Sequence, residues 1–488
     1  MSVKRTCMLL LLCILGGWMF ASCTPEPDTT QFPENKNFRV IGSFTTVYPS
    51  YLYDDKARET DPDDNLILTS FAPLFHTDHV SSISNLEATV NYLLDKNLPV
   101  AEPVMATLIE STAENQMLWP NEAHSVPEEL EAVLGFEAMT ISHGFLVPVG
   151  SIQDGAVLLL NVDTGKTQRL SQDILDYPEP GDSNRWFYHY VFWHDMNGDG
   201  LDDIVTARAH HGTKTGKLVW LEQPATNPGV QRWNEWVIGD GPDVSIVLHD
   251  IDGDDQEEII ATELYNKRLS VWWKVDDDPY APWAGRVVDP DFGAGFGLSV
   301  TDLNNDGVLD LLATNHSNHN PDDPEDPIPS SVFAYEFPVG IGAYQTEDWT
   351  RHVLLTDIET LCTATSMQAA PGRATAFHPN VNDTGFTKPW IHINGDGSMK
   401  THILEPQYPD DPTDWTYKQP EHITLIAEDS ITGQTAIKDV NGDGYVELFI
   451  PVYYLDKIFI FTFAPETPSG WDKRRAYRDK NDLGDAGL

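Results

Sequence analysis

The chain has 488 residues, 41% of them apolar and 10% aromatic, which is enough to bury a sizeable core. Acids outnumber bases 76 to 30, for a formal charge of -46. That balance argues against nucleic acid and anionic membrane surfaces as partners, since both recruit clustered Lys and Arg; cations or a basic partner fit better, and much of the charge also serves solubility.

The N-terminus reads MSVKRTCMLLLLCILGGWMFASC. Lys4 and Arg5 precede an apolar run of secretory length, and Ala21 and Ser22 stand before Cys23, so residues 1–23 read as a signal peptide. The run is too short for a membrane span, and no later segment is long enough for one. FASC also resembles a bacterial lipoprotein processing site. Free secretion and an outer-surface lipid anchor at Cys23 therefore both stand. Residues 24–37 read as a flexible, Pro-containing linker. Cys7 and Cys13 leave with the signal, so Cys23 and Cys362 provide neither a disulfide framework nor a zinc cluster.

Between 38 and 184, NLILTSF, HVSSISN, GFLVPVG and GAVLLLNVDTGK are strand-like. Two helical insertions interrupt them, with Ser84 and Glu87, and then Ser125 and Glu128, at capping-box spacing. FRVIGSF near residue 40 resembles an outer strand and could close a circular fold, a role for which RRAYRD at the C-terminus competes.

From 185 onward an acidic turn recurs: DMNGDGLDD, DIDGDDQEE, DLNNDGVLD and DVNGDGYVE. Positions 1, 3, 5 and 9 give Asp195, Asn197, Asp199 and Asp203; Asp250, Asp252, Asp254 and Glu258; Asp302, Asn304, Asp306 and Asp310; and Asp439, Asn441, Asp443 and Glu447. Each carries a side-chain oxygen. Carboxylates this close repel one another unless a cation intervenes. Calcium takes six to eight oxygens, and alternate residues of a tight loop can supply them. Leu201, Gln256, Val308 and Tyr445 at position 7 would add backbone carbonyls. Gly200, Gly307 and Gly444 at position 6 permit the sharp turn, but Asp255 stands there in the second, which predicts a strained backbone. These are not EF-hands: position 12 is Thr206, Ala261, Ala313 and Ile450, and the flanks are strand-like. About four calcium ions are expected.

Each unit holds four short strands, with a Trp before the third strand after the turn: Trp236, Trp283, Trp349, Trp415 in a unit without an acidic turn, and Trp471 as the last candidate. HPNVNDTG from His378 is a decayed copy that lacks the carboxylates, so no calcium is expected there; NGDG from Asn394 reads as a hairpin. Radial repetition of such units predicts an all-β protein, a β-propeller of seven blades with four antiparallel strands each, spanning 38–480. Two degenerate blades with small helical insertions occupy 38–184, five occupy 185–480, and 481–488 is a tail.

FGLSVTDLNNDGVLDLLATN resembles the FG-GAP or VCBS repeat family, as in integrin α-chain propellers, and the likeness extends over about 185–465. The Gly-Ala-Pro element of that family is largely missing, with AAPG at 369–372 as a remnant. The resemblance implies calcium loops on a lower face and ligand binding on the upper. The strands after the loops would then carry His210, His211, Glu263, Tyr265, Asn315, His316, His319 and Tyr453 to that upper face. Such a set suits a sugar, an additional transition metal, or a basic segment of a partner.

No nucleophile elbow, P-loop or zinc-protease motif occurs. The leading expectation is a secreted or surface-anchored calcium-binding propeller that binds extracellular carbohydrate or protein. The alternatives are a sugar-active enzyme of polysaccharide lyase or sugar dehydratase type, and a structural subunit of a surface assembly.

Overall fold

The computed structural model describes residues 38–54, 65–70, 78–112, 117–144, 155–172, 186–210, 213–317, 328–361, 369–420 and 430–466. Its strands form seven antiparallel sheets arranged as the blades of a β-propeller. The inner strands begin at Pro49, Pro120, Trp186, Ile246, Gly295, Ala374 and Ala436, and the next strands follow outward in chain order. The third sheet has five strands because its inner strand is broken into Trp186–Tyr188 and Phe192–His194.

The seventh sheet is completed from the other end of the chain. Arg39–Thr45 pairs antiparallel with Lys457–Thr462, from Arg39 opposite Thr462 to Thr45 opposite Lys457. Of the two candidates for closure, FRVIGSF supplies this strand; RRAYRD lies outside the described residues. Phe38 reinforces the seam, its ring 5.3 Å from Phe461 and 4.6 Å from Phe463.

Packing follows from the alternation of side chains along each strand. A blade presents one face to each neighbour, and an apolar cluster fills each seam. Leu218, Trp220, Ile246 and Ile259 join the third and fourth blades. Val271, Phe292, Leu311 and Tyr335 join the fourth and fifth. Leu52, Leu68, Phe449 and Ile460 join the first and seventh. The turns lie at the ends of the inner strands, all on one side of the ring, which leaves the starts of those strands at the opposite opening.

The two α-helices among the described residues, Leu86–Leu94 and Glu128–Leu134, occur in the first two blades as expected, but neither capping box forms. Ser84 is still the last residue of its strand, paired with Val104, so the helix starts from Asn85 in the left-handed region. Ser125 likewise ends a strand, opposite Met139, and Pro127 takes the cap position. The sheet register outcompetes the local cap. The segments GFLVPVG after Gly144, ITLIAED and Cys362 fall outside the described residues; the strand after Trp415 is Tyr417–Lys418. No described helix is long and apolar enough to cross a membrane.

Candidate functional site

The four acidic turns share one construction. The position 1 aspartate folds back onto the loop: Asp195 accepts the N–H groups of Gly198, Asp199 and Gly200 at 2.7, 3.2 and 2.8 Å, Asp250 does likewise, and Asp302 and Asp439 accept those of positions 5 and 6. The position 9 carboxylate turns inward and accepts the N–H of position 2, as in Met196 to Asp203, Ile251 to Glu258, Leu303 to Asp310 and Val440 to Glu447. Burial pushes Asp203, Glu258 and Asp310 up to about 7 and Glu447 to about 8.

The turns differ at position 3. Asn197, Asn304 and Asn441 each donate an amide hydrogen to the position 5 carboxylate, at 3.3, 3.0 and 3.2 Å, which relieves part of the local repulsion. The second turn has an aspartate there instead. Its Asp250, Asp252 and Asp254 bring carboxylate oxygens within 4.8 Å of one another, the only such grouping of His, Cys, Asp or Glu among the described residues. Asp252 Oδ2 accepts the Gly342 N–H at 2.6 Å, while its Oδ1 is buried without a partner in the described structure. An orphaned, buried carboxylate oxygen beside two further carboxylates is the donor set that a hard divalent cation completes.

The residues expected on the upper face do sit at strand ends on that side, but most of them hold the fold. His210 is buried, and its Nδ1 accepts the Thr213 N–H at 3.0 Å. Glu263 is buried and takes Arg268 Nε at 2.6 Å and Asn266 Nδ2 at 2.7 Å. Asn315 donates to the carbonyls of Phe292 and Pro329, both at 2.9 Å, and accepts from Ser331 N–H. The Tyr265 N–H is bound to Asp243 at 2.8 Å, and Tyr453 packs between Tyr48 and Tyr454. His211 and His319 lie outside the described residues. Of the described members of this set, His316 alone belongs to the constellation around the axis.

That constellation is drawn from the inner ends of the blades. Arg373, just before the inner strand of the sixth blade, lies over the Tyr190 ring of the third at 4.4 Å. Its guanidinium donates to Leu298 O of the fifth blade at 3.2 Å and to Gln434 Oε1 of the seventh at 3.4 Å. Tyr51 and Tyr53 of the first blade, their rings 6.3 Å apart, and Glu122 of the second lie within its field. Tyr190, Val244 and Phe296 form an apolar cluster at the centre. His316 stacks on Phe296 with ring centroids 4.5 Å apart. Its Nδ1 donates to Pro371 O at 2.8 Å, which leaves Nε2 directed to the Asp396 carboxylate 3.8 Å away. Arg373, Tyr51, His316, Asp396 and Gln434 all retain solvent contact, whereas Tyr53, Tyr190 and Glu122 are buried. Burial raises the hydroxyls of Tyr51, Tyr53 and Tyr190, so these rings stay neutral hydrogen-bonding groups.

Sequence reasoning named only His316 from this group. A signal was present in YPSYLYD, in the aromatic run WFYHYVFW, and in the arginine that follows AAPG. No periodicity marks these residues as neighbours, because the closed ring alone brings them together.

No family model matches the sequence, and no curated protein matches it. Solved structures with a similar course of the chain include the Dos1 propeller, with a TM-score of 0.44 at 10% identity, covering 87% of this chain and 96% of that one. The polysaccharide lyase Uly1 has a TM-score of 0.40 at 9% identity, covering 86% and 98%. A rhamnogalacturonan lyase of Bacillus licheniformis has 0.40 at 12%, covering 88% and 75%.

Proposed function

We propose that the chain is a calcium-stabilised propeller of the FG-GAP or VCBS kind, secreted or lipid-anchored, that binds carbohydrate at its axial opening. The observation that carries this reading is the convergence of Arg373, Tyr51, His316, Asp396 and Gln434, from four blades, at one solvent-touched site over an aromatic floor. Concave sites of this composition, apolar below with a few fixed polar groups, orient small polar ligands. Aromatic rings cover the C–H faces of a sugar, and carboxylate, amide and imidazole groups take its hydroxyls.

Calcium would be held by positions 1, 3, 5, 7 and 9 of each turn, position 9 being Asp203, Glu258, Asp310 and Glu447, and would be most strongly required in the second, where no amide offsets the third carboxylate. Its contribution there is charge compensation. Titration with Ca²⁺ after exhaustive chelation tests this: the melting temperature should rise by several degrees, since a ligand at a hundred times its Kd adds about 2.7 kcal/mol. A melting curve indifferent to Ca²⁺ would end the calcium reading.

A glycan array probed with the full chain tests carbohydrate binding. His316→Ala should weaken any captured glycan about tenfold or more, whereas His210→Ala should act on stability alone.

A second reading, a sugar-active enzyme, draws on the His316 tautomer: with Nδ1 committed to a carbonyl, Nε2 presents a lone pair beside Asp396, an arrangement suited to proton abstraction. Shortening of a bound oligosaccharide on prolonged incubation, abolished in His316→Ala, would favour it.

A further inference from the structure

We propose that the axial site recognises a carboxylate-bearing sugar, with Arg373 as the carboxylate receptor; this deepens the carbohydrate reading and rests on it.

In a chain with 76 acidic residues the Arg373 guanidinium forms no ion pair with a described carboxylate. Other arginines do pair: Arg208 with Glu235, Arg268 with Glu263 and Arg351 with Asp289. The partners of Arg373 are neutral: one backbone carbonyl, one amide oxygen and the face of Tyr190. Glu122 is near enough to act on it, but its oxygens are engaged elsewhere, one with the Val191 N–H at 2.8 Å and the other with His124 Nε2 at 2.8 Å. Two of the guanidinium's five N–H groups are thus spent on weak, neutral contacts, and none of its nitrogens is buried without a partner. The Tyr190 hydroxyl is a further neutral neighbour, and Arg373 is only partly buried, so its guanidinium keeps an approach from the water of the site.

The surroundings favour the charged form of Arg373, yet its fork holds no carboxylate, so an anion can still complete it. The fork matches a carboxylate with two parallel hydrogen bonds. Tyr51 lies within the field of both Arg373 and Asp396, and Asp396 with His316 Nε2 forms the opposite pole, which offers acceptors to hydroxyl groups and repels a second anion. A ligand that fits both poles has one carboxylate and several hydroxyls on the same ring, which is the chemistry of a uronic acid. A densely sulfated or phosphorylated chain would meet Glu122 and Asp396 and the charge of -46.

The test uses the unaltered full chain first. Uronate oligosaccharides, their methyl esters and sulfated neutral oligosaccharides of the same length are compared by array and by calorimetry. The expected result is binding of a uronate that falls about tenfold or more on esterification, the scale of a lost charge-assisted pair. Arg373→Lys, which keeps the charge but loses the fork, should lose a similar factor at unchanged melting temperature, and Arg373→Gln more. Equal binding of neutral and acidic forms overturns the carboxylate assignment while leaving the carbohydrate reading intact. Preference for sulfated over carboxylated sugars overturns it too. Capture of no glycan of any kind removes both readings.

Discussion

At the scale of single residues, the turns show how local pattern and local geometry agree. Positions 4 and 6 of each turn take left-handed backbone; glycine supplies it at Gly198, Gly200, Gly253, Gly307, Gly442 and Gly444, and Asn305 at position 4 of the third turn. Asp255, the exception noted from sequence, indeed has φ of 65°. Asp255→Gly should therefore stabilise the protein by about 1 kcal/mol, the order of a relieved left-handed conformer, visible as a higher melting temperature. His392 makes a different residue-scale prediction. It is buried in the sixth blade, and burial lowers it to about 3, with its Nε2 lacking a partner among the described residues. Between about 6.5, its ordinary value, and about 3 the unfolded chain binds the extra proton, so this contribution is complete above the upper value and is lost as pH falls. His392→Leu should flatten the acid side of the stability profile, measured by denaturant unfolding from pH 7 to pH 4, without loss at neutral pH. A variant with an unchanged acid slope would exclude His392 as a source.

At the scale of elements, the outer strands carry information that no motif displays. Trp272 of the fourth blade lies against Gly285 of its own sheet and Gly239 of the third; a Cβ at those positions would meet its ring at 2.5 and 2.1 Å. The glycines are there because a ring needs the room, not because the strand needs their freedom. Gly239→Ala should cost about 1–3 kcal/mol through overpacking, and Trp272→Leu in the same chain should recover part of it; a neutral Gly239→Ala would mean that the seam yields. The failed capping boxes belong to this scale as well. Ser84 and Ser125 have the right spacing, yet strand pairing holds both until the helix position has passed. Cross-strand partners decide where a helix begins after a strand, and a single sequence does not show them.

At the scale of the whole molecule, the ring depends on joining its ends. Phe38 and the strand Arg39–Thr45 close the seventh blade, and Lys438 to Asp54 at 2.9 Å ties that blade to the first. Phe38→Ala should cost about 3–5 kcal/mol, the range for a buried aromatic, and removal of residues 38–45 should leave an exposed strand edge and an aggregating protein. Size-exclusion chromatography and thermal melts would show both; a monomeric truncation with native stability would mean that closure lies elsewhere.

The sequence by itself determined the blade: acidic turn, strand alternation and outer Trp are local features, repeated often enough to predict an all-β ring, while the seven sheets are counted only in the closed structure. It also let the turns be proposed as cation sites, since the acidic residues of one loop are neighbours in the chain. Only the tertiary structure decided the axial site. Tyr51, Glu122, Tyr190, Phe296 and Arg373 are far apart in sequence and carry no shared spacing, and they meet because closure points the start of every inner strand at one axis. The same closure buried His210, Glu263 and Asn315, which sequence had placed with His316, since a residue at a strand end faces either the seam or the opening according to the register of its sheet.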